Sequence, residues 1–284
     1  MATTHYFAVI SDQHIVEPHR TLYQLDTNAA AERLCRELTG ESVPLMGIIS
    51  LGDLVDSISN SDRMKAVGSP EAYQNAHNIF RGLNRPFFCL PGNHDEPSLL
   101  HRYFHSHWEC SSHGVYRFTI FGIDCIGIDV RTGPEPTGSA TAQCIDTLDD
   151  TLHKSTRALV FSHYPLVDLD NKRINRDLST TNRSQIQAVL TRHAQKIAGC
   201  FHGHLHIWIT SMHRGIVSYS VPSSAFTFIL EPQADRIEVV GETSCGYLLL
   251  GISDDGSVVI RPRFLPVAMS PTSVDPTSLI FDKK

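Results

Sequence analysis

The sequence predicts an α/β fold in which two mixed β-sheets pack face to face between outer helices, a four-layer αββα sandwich. Three observations carry this. Short, largely apolar runs alternate with amphipathic helical runs through the front of the chain. Such continuous apolar runs read as strands covered on both faces. After Ile207 the helical pattern stops, and strand-like runs follow one another across tight turns. Stacking two sheets between helices accommodates both halves in one domain.

The elements follow in order. The first strand covers residues 6–11. Asp26 then caps a helix that runs to about Leu38, with Gly40 as its stop. Strands at 47–51 and 87–90 flank a helix that Ser69 caps and Pro70 opens. Tyr73, Ala76, Phe80 and Leu83 make its apolar face. Strands at 116–121 and 124–128 lead to a helix carrying Ile145, Leu148 and Leu152 on one side. A strand at 158–162, a helix with Ile186, Val189 and Leu190, and a strand at 198–202 complete the front. The back reads as a β-meander of strands at 207–212, 216–221, 247–252 and 258–264. His213-Arg214-Gly215 and Asp254-Asp255-Gly256 are its turn signals, so Asp254 and Asp255 are not a catalytic carboxylate pair. Residues 1–264 form one domain, and 265–284, rich in Pro, Ser and Thr, form an extension or an arm onto a partner subunit. Such an arm is compatible with a homo-oligomer.

Composition narrows the function. A formal charge of −6 without a lysine- or arginine-rich run argues against nucleic acid as partner. No apolar run reaches the length of a membrane span. The seven cysteines are scattered without a CxxC pair, which fits a reduced, cytoplasmic protein. Met1 leads directly into a strand-like run, so no signal peptide is expected.

Five segments each place metal-ligating side chains directly after a strand-like run. They are Ser11-Asp12-Gln13-His14, Gly52-Asp53-Leu54-Val55-Asp56, Gly92-Asn93-His94-Asp95, Ser162-His163-Tyr164-Pro165 and His202-Gly203-His204-Leu205-His206. Any one alone would be a turn. In an open α/β sheet, ligands bind beyond the carboxyl ends of the strands, so the fold brings all five loops to one edge. Oxygen and imidazole donors together suit manganese, iron, zinc or cobalt rather than calcium or a thiolate-bound zinc. Gly52, Gly92 and Gly203 permit the close turns that converge on one point.

These five segments resemble, in order, the D-x-H, G-D-x-x-D, G-N-H-D/E, H-x-P and G-H-x-H signature of the calcineurin-like metallophosphoesterases. The resemblance spans residues 12 to 206. It implies that Asp12, His14, Asp53 and His206 hold one metal. Asp53 bridges to a second, completed by Asn93, His163 and His204. It also implies that His94 binds no metal and faces the substrate. The charges then make sense: two divalent ions give about +4, Asp12 and Asp53 about −2 and a bridging hydroxide about −1. About +1 remains, a trap for a phosphate anion whose phosphorus the hydroxide attacks. His94 would stabilise phosphoryl oxygens or protonate the leaving alkoxide. Asp56 and Asp95 are candidate carboxylates for orienting the imidazoles.

A narrower resemblance concerns the class III cyclic-nucleotide phosphodiesterases and the related bacterial glycerophosphodiesterases. It rests on residues 22–30, Glu71-Ala72-Tyr73, Arg85-Pro86-Phe87, Val221-Pro222-Ser223-Ser224 and Gly246-Tyr247. It implies a dinuclear-metal hydrolase, with divalent or mixed-valence ions, acting on a small phosphodiester. A 3′,5′-cyclic nucleotide is the leading substrate and a glycerophosphodiester the alternative. A phosphomonoesterase, or a non-catalytic binding module on the same fold, is the remaining reading. The stretches 57–68 and 166–183 lie beside the motif loops and shape the pocket. His101, His105 and His107, on a helix-like stretch after the third motif, read as solvated or structural. His202 reads as packing, and Trp108 and Trp208 as packing or rim residues.

Overall fold

Alternate residues of the first strand face two different cores, and this sets the layering. In this computed structural model, residues 2–58, 66–110, 113–232, 238–241 and 244–265 are described. In chain order they form β1 (Thr4–Ile10), α1 (Thr27–Thr39), β2 (Leu45–Ser50), α2 (Pro70–Phe80), β3 (Phe87–Cys89), α3 (Pro97–Phe104) and β4 (Glu109–Cys110). Next come β5 (Val115–Ile120), β6 (Ile123–Ile128), α4 (Ala142–Lys154), β7 (Arg157–Ser162), α5 (Lys172–Asp177), α6 (Arg183–Arg192) and β8 (Ile197–His202). The back consists of β9 (Ile209–His213), β10 (Ile216–Ser220), β11 (Thr227–Ile229), β12 (Glu238–Val240), β13 (Gly246–Ser253) and β14 (Val258–Phe264). Sheet one runs β14-β13-β1-β2-β3 and sheet two β4-β5-β6-β7-β8-β10-β9; β11 and β12 pair apart from both.

On β1, Ala8 and Ile10 join the core beneath α1, α2 and α3, with Leu34, Tyr73 and Leu100. Phe7 and Val9 face the other way, into the core between the sheets. Val160 and Cys200 of sheet two pack under α4 and α6, on Leu148 and Leu190. These three apolar layers make the four-layer sandwich, and removal of their surface from water is its main stabilisation. Between the sheets the rings of Phe161, Phe201, Tyr219 and Trp208 stack in succession across the strands, with centroids 5.0, 5.3 and 6.0 Å apart. Trp108 is buried there too, against Phe88, Phe118 and Phe161.

The helix signals act as their chemistry dictates. The Asp26 carboxylate accepts from Ala29 N, Ser69 Oγ from Ala72 N ahead of Pro70, and Thr141 Oγ1 from Cys144 N. Each satisfies one of the N–H groups a helix start leaves without a partner. Gly40 ends α1 by bonding Arg36 O at φ −84°, so the left-handed freedom of glycine is not used there. The stretch carrying three histidines is helical only to Phe104. His105 caps it at φ 41°, and His107 N bonds Phe87 O at the start of β3, the end of the sheet away from the motif loops.

The back is not one meander. β9 and β10 form a hairpin on sheet two, where β10 also runs parallel to β8, whereas β13 and β14 close sheet one. Between these hairpins in the chain lies the small β11–β12 pair. Period-two alternation marks a strand but not the sheet it joins, so the sequence pattern could not separate the two hairpins. Arg214 (φ 49°) and Gly215 (φ 82°) supply the two positive φ angles of a tight hairpin turn. Cys35, Cys89, Cys125, Cys144, Cys200 and Cys245 are not joined in disulfides. Among the described residues no helix is long and apolar enough to cross a membrane. Residues 266–284, most of the expected arm, lie outside the described part.

Candidate metal centre

β1, β2, β3, β7 and β8 run in the same direction within their sheets, so the five motif loops emerge at one edge. Backbone bonds lock these loops together: Asp12 N to Gly52 O and His14 N to Asp53 O, both 3.0 Å, and Gly203 N to His163 O, 3.0 Å. The crowding is severe. A Cβ on Gly92 would overlap Asp53 Oδ1, and one on Gly203 would overlap Ser11 Oγ and lie 2.8 Å from Asp12 Oδ2. Five predicted ligands sit in the left-handed region that side chains disfavour: Asp12 (φ 57°), His14 (45°), Asp53 (50°), His204 (68°) and His206 (57°). Each such residue costs about 1–3 kcal/mol. That strain persists only because the surrounding loops over-determine it.

The structure brings all seven predicted ligands together, each at most 5% exposed. Two groups form. Ligand atoms of Asp12, His14 and His206 lie within 4.8 Å of one another, as do those of Asp53, His163 and His204. Asp53 Oδ2 lies between the groups, 3.2 Å from His163 Nε2 and 3.8 Å from His14 Nε2. Asn93 Oδ1 is 3.2 Å from His163 Nε2. Atoms of His14, Asp53 and His94 also meet the 4.8 Å condition, so distance alone does not set His94 apart from the ligands.

The outer hydrogen bonds fix which ring nitrogens carry the lone pair when each ring is neutral. His14 Nδ1 is 2.9 Å from Asp56 Oδ2, and His206 Nδ1 is 3.1 Å from Phe226 O. Donation outward leaves both Nε2 atoms as acceptors, and they face each other at 3.1 Å. Likewise His163 Nδ1 donates to Leu51 O (2.8 Å) and His204 Nε2 to Pro136 O (2.9 Å). The inward His163 Nε2 and His204 Nδ1 are 3.1 Å apart, with the Asp53 and Asn93 oxygens beside them. Acceptors converging on one point repel one another unless a proton or a cation sits among them. This donor set therefore fits two metal ions, each ring held by an outer partner as metal-bound histidines are. The other carboxylate oxygens are spent on backbone: Asp53 Oδ1 accepts from His94 N (2.8 Å) and Asp12 Oδ2 from His204 N (2.9 Å).

Burial would raise Asp53, but His163, His94 and His14 outweigh it and hold its carboxyl well below the usual range. Asp12 is lifted to about 6 by burial, with Asp53 adding to it. Against burial, Asp53 and then Asp12 raise His163 to about 9, and Asp56 and Asp53 raise His94 to about 10. His204 and His206 fall well below the ordinary value, first through burial and then through His163 and His14 respectively. Burial with the nearby His163 lowers His202 to about 4, and it donates only to Gly203 O, consistent with packing.

The two supporting carboxylates differ. Asp56 faces two imidazoles: Oδ2 holds His14, and Oδ1 lies 3.4 Å from His94 Nδ1, at ion-pair distance but without hydrogen-bond alignment. Asp95 does not orient a ring. Its oxygens accept from Gly92 N (2.9 Å), Leu54 N (3.4 Å) and the Tyr73 hydroxyl (3.1 Å), because the turn points it inward beneath the loops.

Other groups stand at the site beside the five metal motifs. Phe226 and Phe228 pack on His206 with centroids 4.4 and 4.2 Å away, and Tyr23 meets Phe226 edge-on. Ser223 Oγ donates to Asp12 O (2.6 Å) and accepts from Ala225 N. Arg131 pairs with Asp129 and reaches Asp95 O (3.4 Å). Of the two stretches expected to shape the pocket, the first supplies Gly68 N to His94 O (2.9 Å), with 59–65 outside the described residues. The second packs Leu169, Ile174 and Leu178 on Leu205, inside the fifth motif. His101, His105 and His107 are exposed and take no part.

The calcineurin-like phosphoesterase profile matches residues 5–208. A probable cyclic nucleotide phosphodiesterase of Psychrobacter arcticus is 22% identical over 251 residues, 80% of either chain. A probable glycerophosphodiester phosphodiesterase of Arcobacter nitrofigilis is 23% identical over 232 residues, covering 80% of this chain and 81% of that one. In fold, the chain is similar to a dimetal phosphatase from Danio rerio (TM-score 0.64, 16% identity, 90% of this chain and 98% of that one).

Proposed function

The chain belongs to the calcineurin-like phosphoesterase family, a hydrolytic family, and from that premise we propose that it is a dinuclear-metal phosphodiesterase acting on a small diester. The observation that carries this is the pair of lone-pair clusters sharing Asp53, with His94 against one of them: its ring lies 4.9 Å from that of His14. Asp12, His14, Asp53 and His206 would hold one ion, and Asp53, Asn93, His163 and His204 the other. When bound, the ions supply positive charge to the phosphate oxygens and make water acidic enough to yield a nucleophile near neutral pH. The donor set suits manganese, iron, zinc or cobalt.

The chain's own groups do the rest. Asp56 keeps the His14 lone pair turned inward and lies beside the His94 ring. His94, 6% exposed, is the residue that meets the phosphate and gives its proton to the leaving oxygen. The flank beside His206 is aromatic. Phe228, half-buried, is shared by the apolar clusters under residues 16–25 and 169–178, and Tyr23 and Ile58 extend it. A planar base gains more from such a flank than a glycerol does, which favours a cyclic nucleotide. The similarity to a relative named for glycerophosphodiesters keeps the second substrate in view.

Protein reconstituted with manganese, iron or zinc should hydrolyse bis(p-nitrophenyl) phosphate. Cyclic AMP, cyclic GMP, 2′,3′-cyclic nucleotides and glycerophosphodiesters then rank the substrates. Phe228→Ala should raise KM for the nucleotide and leave a glycerophosphodiester unaffected. No diester hydrolysis with any of the metals, together with an Asn93→Ala variant of unchanged metal content, would overturn the proposal.

A further inference from the structure

We propose that Tyr73, in the middle of α2 and remote in sequence from every motif, is a positioning residue for His94; this rests on the reading of His94 given above. Tyr73 has no exposed surface. Its hydroxyl accepts the Glu96 N–H at 2.7 Å and donates to Asp95 Oδ1 at 3.1 Å. The other Asp95 oxygen accepts the N–H groups of Gly92 and Leu54. One buried carboxylate therefore ties the second motif loop to the third, and one phenol fixes that carboxylate.

His94 sits inside this knot. Its N–H is held by Asp53 Oδ1 and its C=O by Gly68 N–H. The next residue is pinned by its side chain to Tyr73 and by its carbonyl to Arg131, and the one after by its N–H to Tyr73. The Tyr73 ring is itself fixed, stacked on Tyr103 of α3 at 6.1 Å and 9°. The packing of α2 on α3 is thus transmitted through one hydroxyl to the segment 94–96. Removing that hydroxyl leaves the Glu96 N–H without its acceptor and Asp95 Oδ1 without its donor. The Asp95 carboxylate is buried, so the loop relaxes to find partners. The imidazole of His94 moves with it.

A tyrosine that only filled the core would affect stability and treat all substrates alike. A tyrosine that aims a proton donor discriminates by leaving group, because an alkoxide needs the proton and p-nitrophenolate does not. The test compares kcat/KM for an alkyl diester with that for bis(p-nitrophenyl) phosphate in the manganese-loaded protein. The ratio is taken within one preparation, so partial unfolding or metal loss cancels. Tyr73→Phe should lower the alkyl-to-aryl ratio about 10-fold or more, and His94→Ala about 100-fold. Asp95→Asn, which keeps the shape and removes the charge, should act in the direction of Tyr73→Phe and serves if that variant does not fold. In metal-free Tyr73→Phe protein, amide exchange should quicken at residues 92–96 while the rest of sheet one stays protected. If His94→Ala shifts the ratio while Tyr73→Phe leaves both ratio and exchange unchanged, the positioning role is wrong and the phosphodiesterase reading stands. If His94→Ala leaves the ratio unchanged, the role given to His94 has failed, and the exchange measurement alone decides whether Tyr73 holds the loop.

Discussion

Replacing Asp56 with asparagine should weaken one metal site far more than the other. The carboxylate is 1% exposed, accepts two hydrogen bonds and has the His94 ring at ion-pair distance. His14 Nδ1 is at 2.9 Å, Ser57 N at 2.6 Å and His94 Nδ1 at 3.4 Å. Burial works against its charge, but His94 and His14 hold it down to about 2. An asparagine offers one oxygen, and its amide group turns hydrogens toward a donor. One buried donor then loses its acceptor, at a cost of about 1–3 kcal/mol of stability. The larger effect falls on the metal. His14 loses the partner that keeps its Nε2 lone pair inward, and loss of such an outer partner typically weakens metal binding about 10–100-fold. The rings of the other cluster, His163 and His204, rest instead on Leu51 O and Pro136 O and make no bond to Asp56. Competition titration of the metal-free protein with a chromophoric chelator resolves the two affinities. The expected result is one affinity lowered by about one to two orders of magnitude and the other changed less than about threefold. Equal losses at both sites, or none, would refute the assignment of Asp56 to His14.

Gly203→Ala should destabilise the fold by about 3 kcal/mol or more, because the new methyl overlaps Ser11 Oγ and crowds Asp12. Gly82→Ala, where nothing lies within 4 Å of the added carbon, should stay within about 0.5 kcal/mol in the same thermal melts. Metal binding should release a proton from His163, which burial lowers but Asp53 raises to about 9 in the metal-free protein. Below that pH the proton must leave before Nε2 can ligate. Calorimetry in buffers of different ionisation enthalpy should show this release at pH 7, fading above about pH 9; His163→Gln should remove it. Away from the site, Glu41 joins the α1–β2 turn to β13 and β14 through Tyr247 and Arg263. Burial opposes its charge, but Arg263, Tyr247 and Ser42 lower it from the ordinary 4.5 to about 2. A lowered carboxyl stabilises the fold above its unfolded value and loses that contribution as pH falls through the folded one. Stability should therefore drop by about 1–2 kcal/mol between pH 4.5 and 2, discounted for the exposed half of the pair, and Glu41→Gln should flatten that slope.

The sequence by itself named the candidate donors and the direction of the site. Asp12, His14, Asp53, Asn93, His163, His204 and His206 stood out because their segments follow strands, whose ends carry their loops to a known edge of the sheet, and because those segments resemble the metallophosphoesterase signature. Two helix starts were legible because Asp26 and Ser69 act on N–H groups three residues away. What depends on partners distant in the chain was not legible. No local pattern sends the hairpin at 209–220 to one sheet and that at 246–264 to the other. Nor does any spacing place Tyr73 under Asp95, Phe228 against His206 or Ser223 on the Asp12 carbonyl. Asp95 shows the division most clearly. Its type and place in the third motif announce a supporting carboxylate, but only the packing of α2 decides that it anchors backbone rather than an imidazole. A motif fixes which donors are present. The tertiary structure, by burying them in strained turns and spending their outer atoms on neighbours, decides which lone pairs are left facing inward.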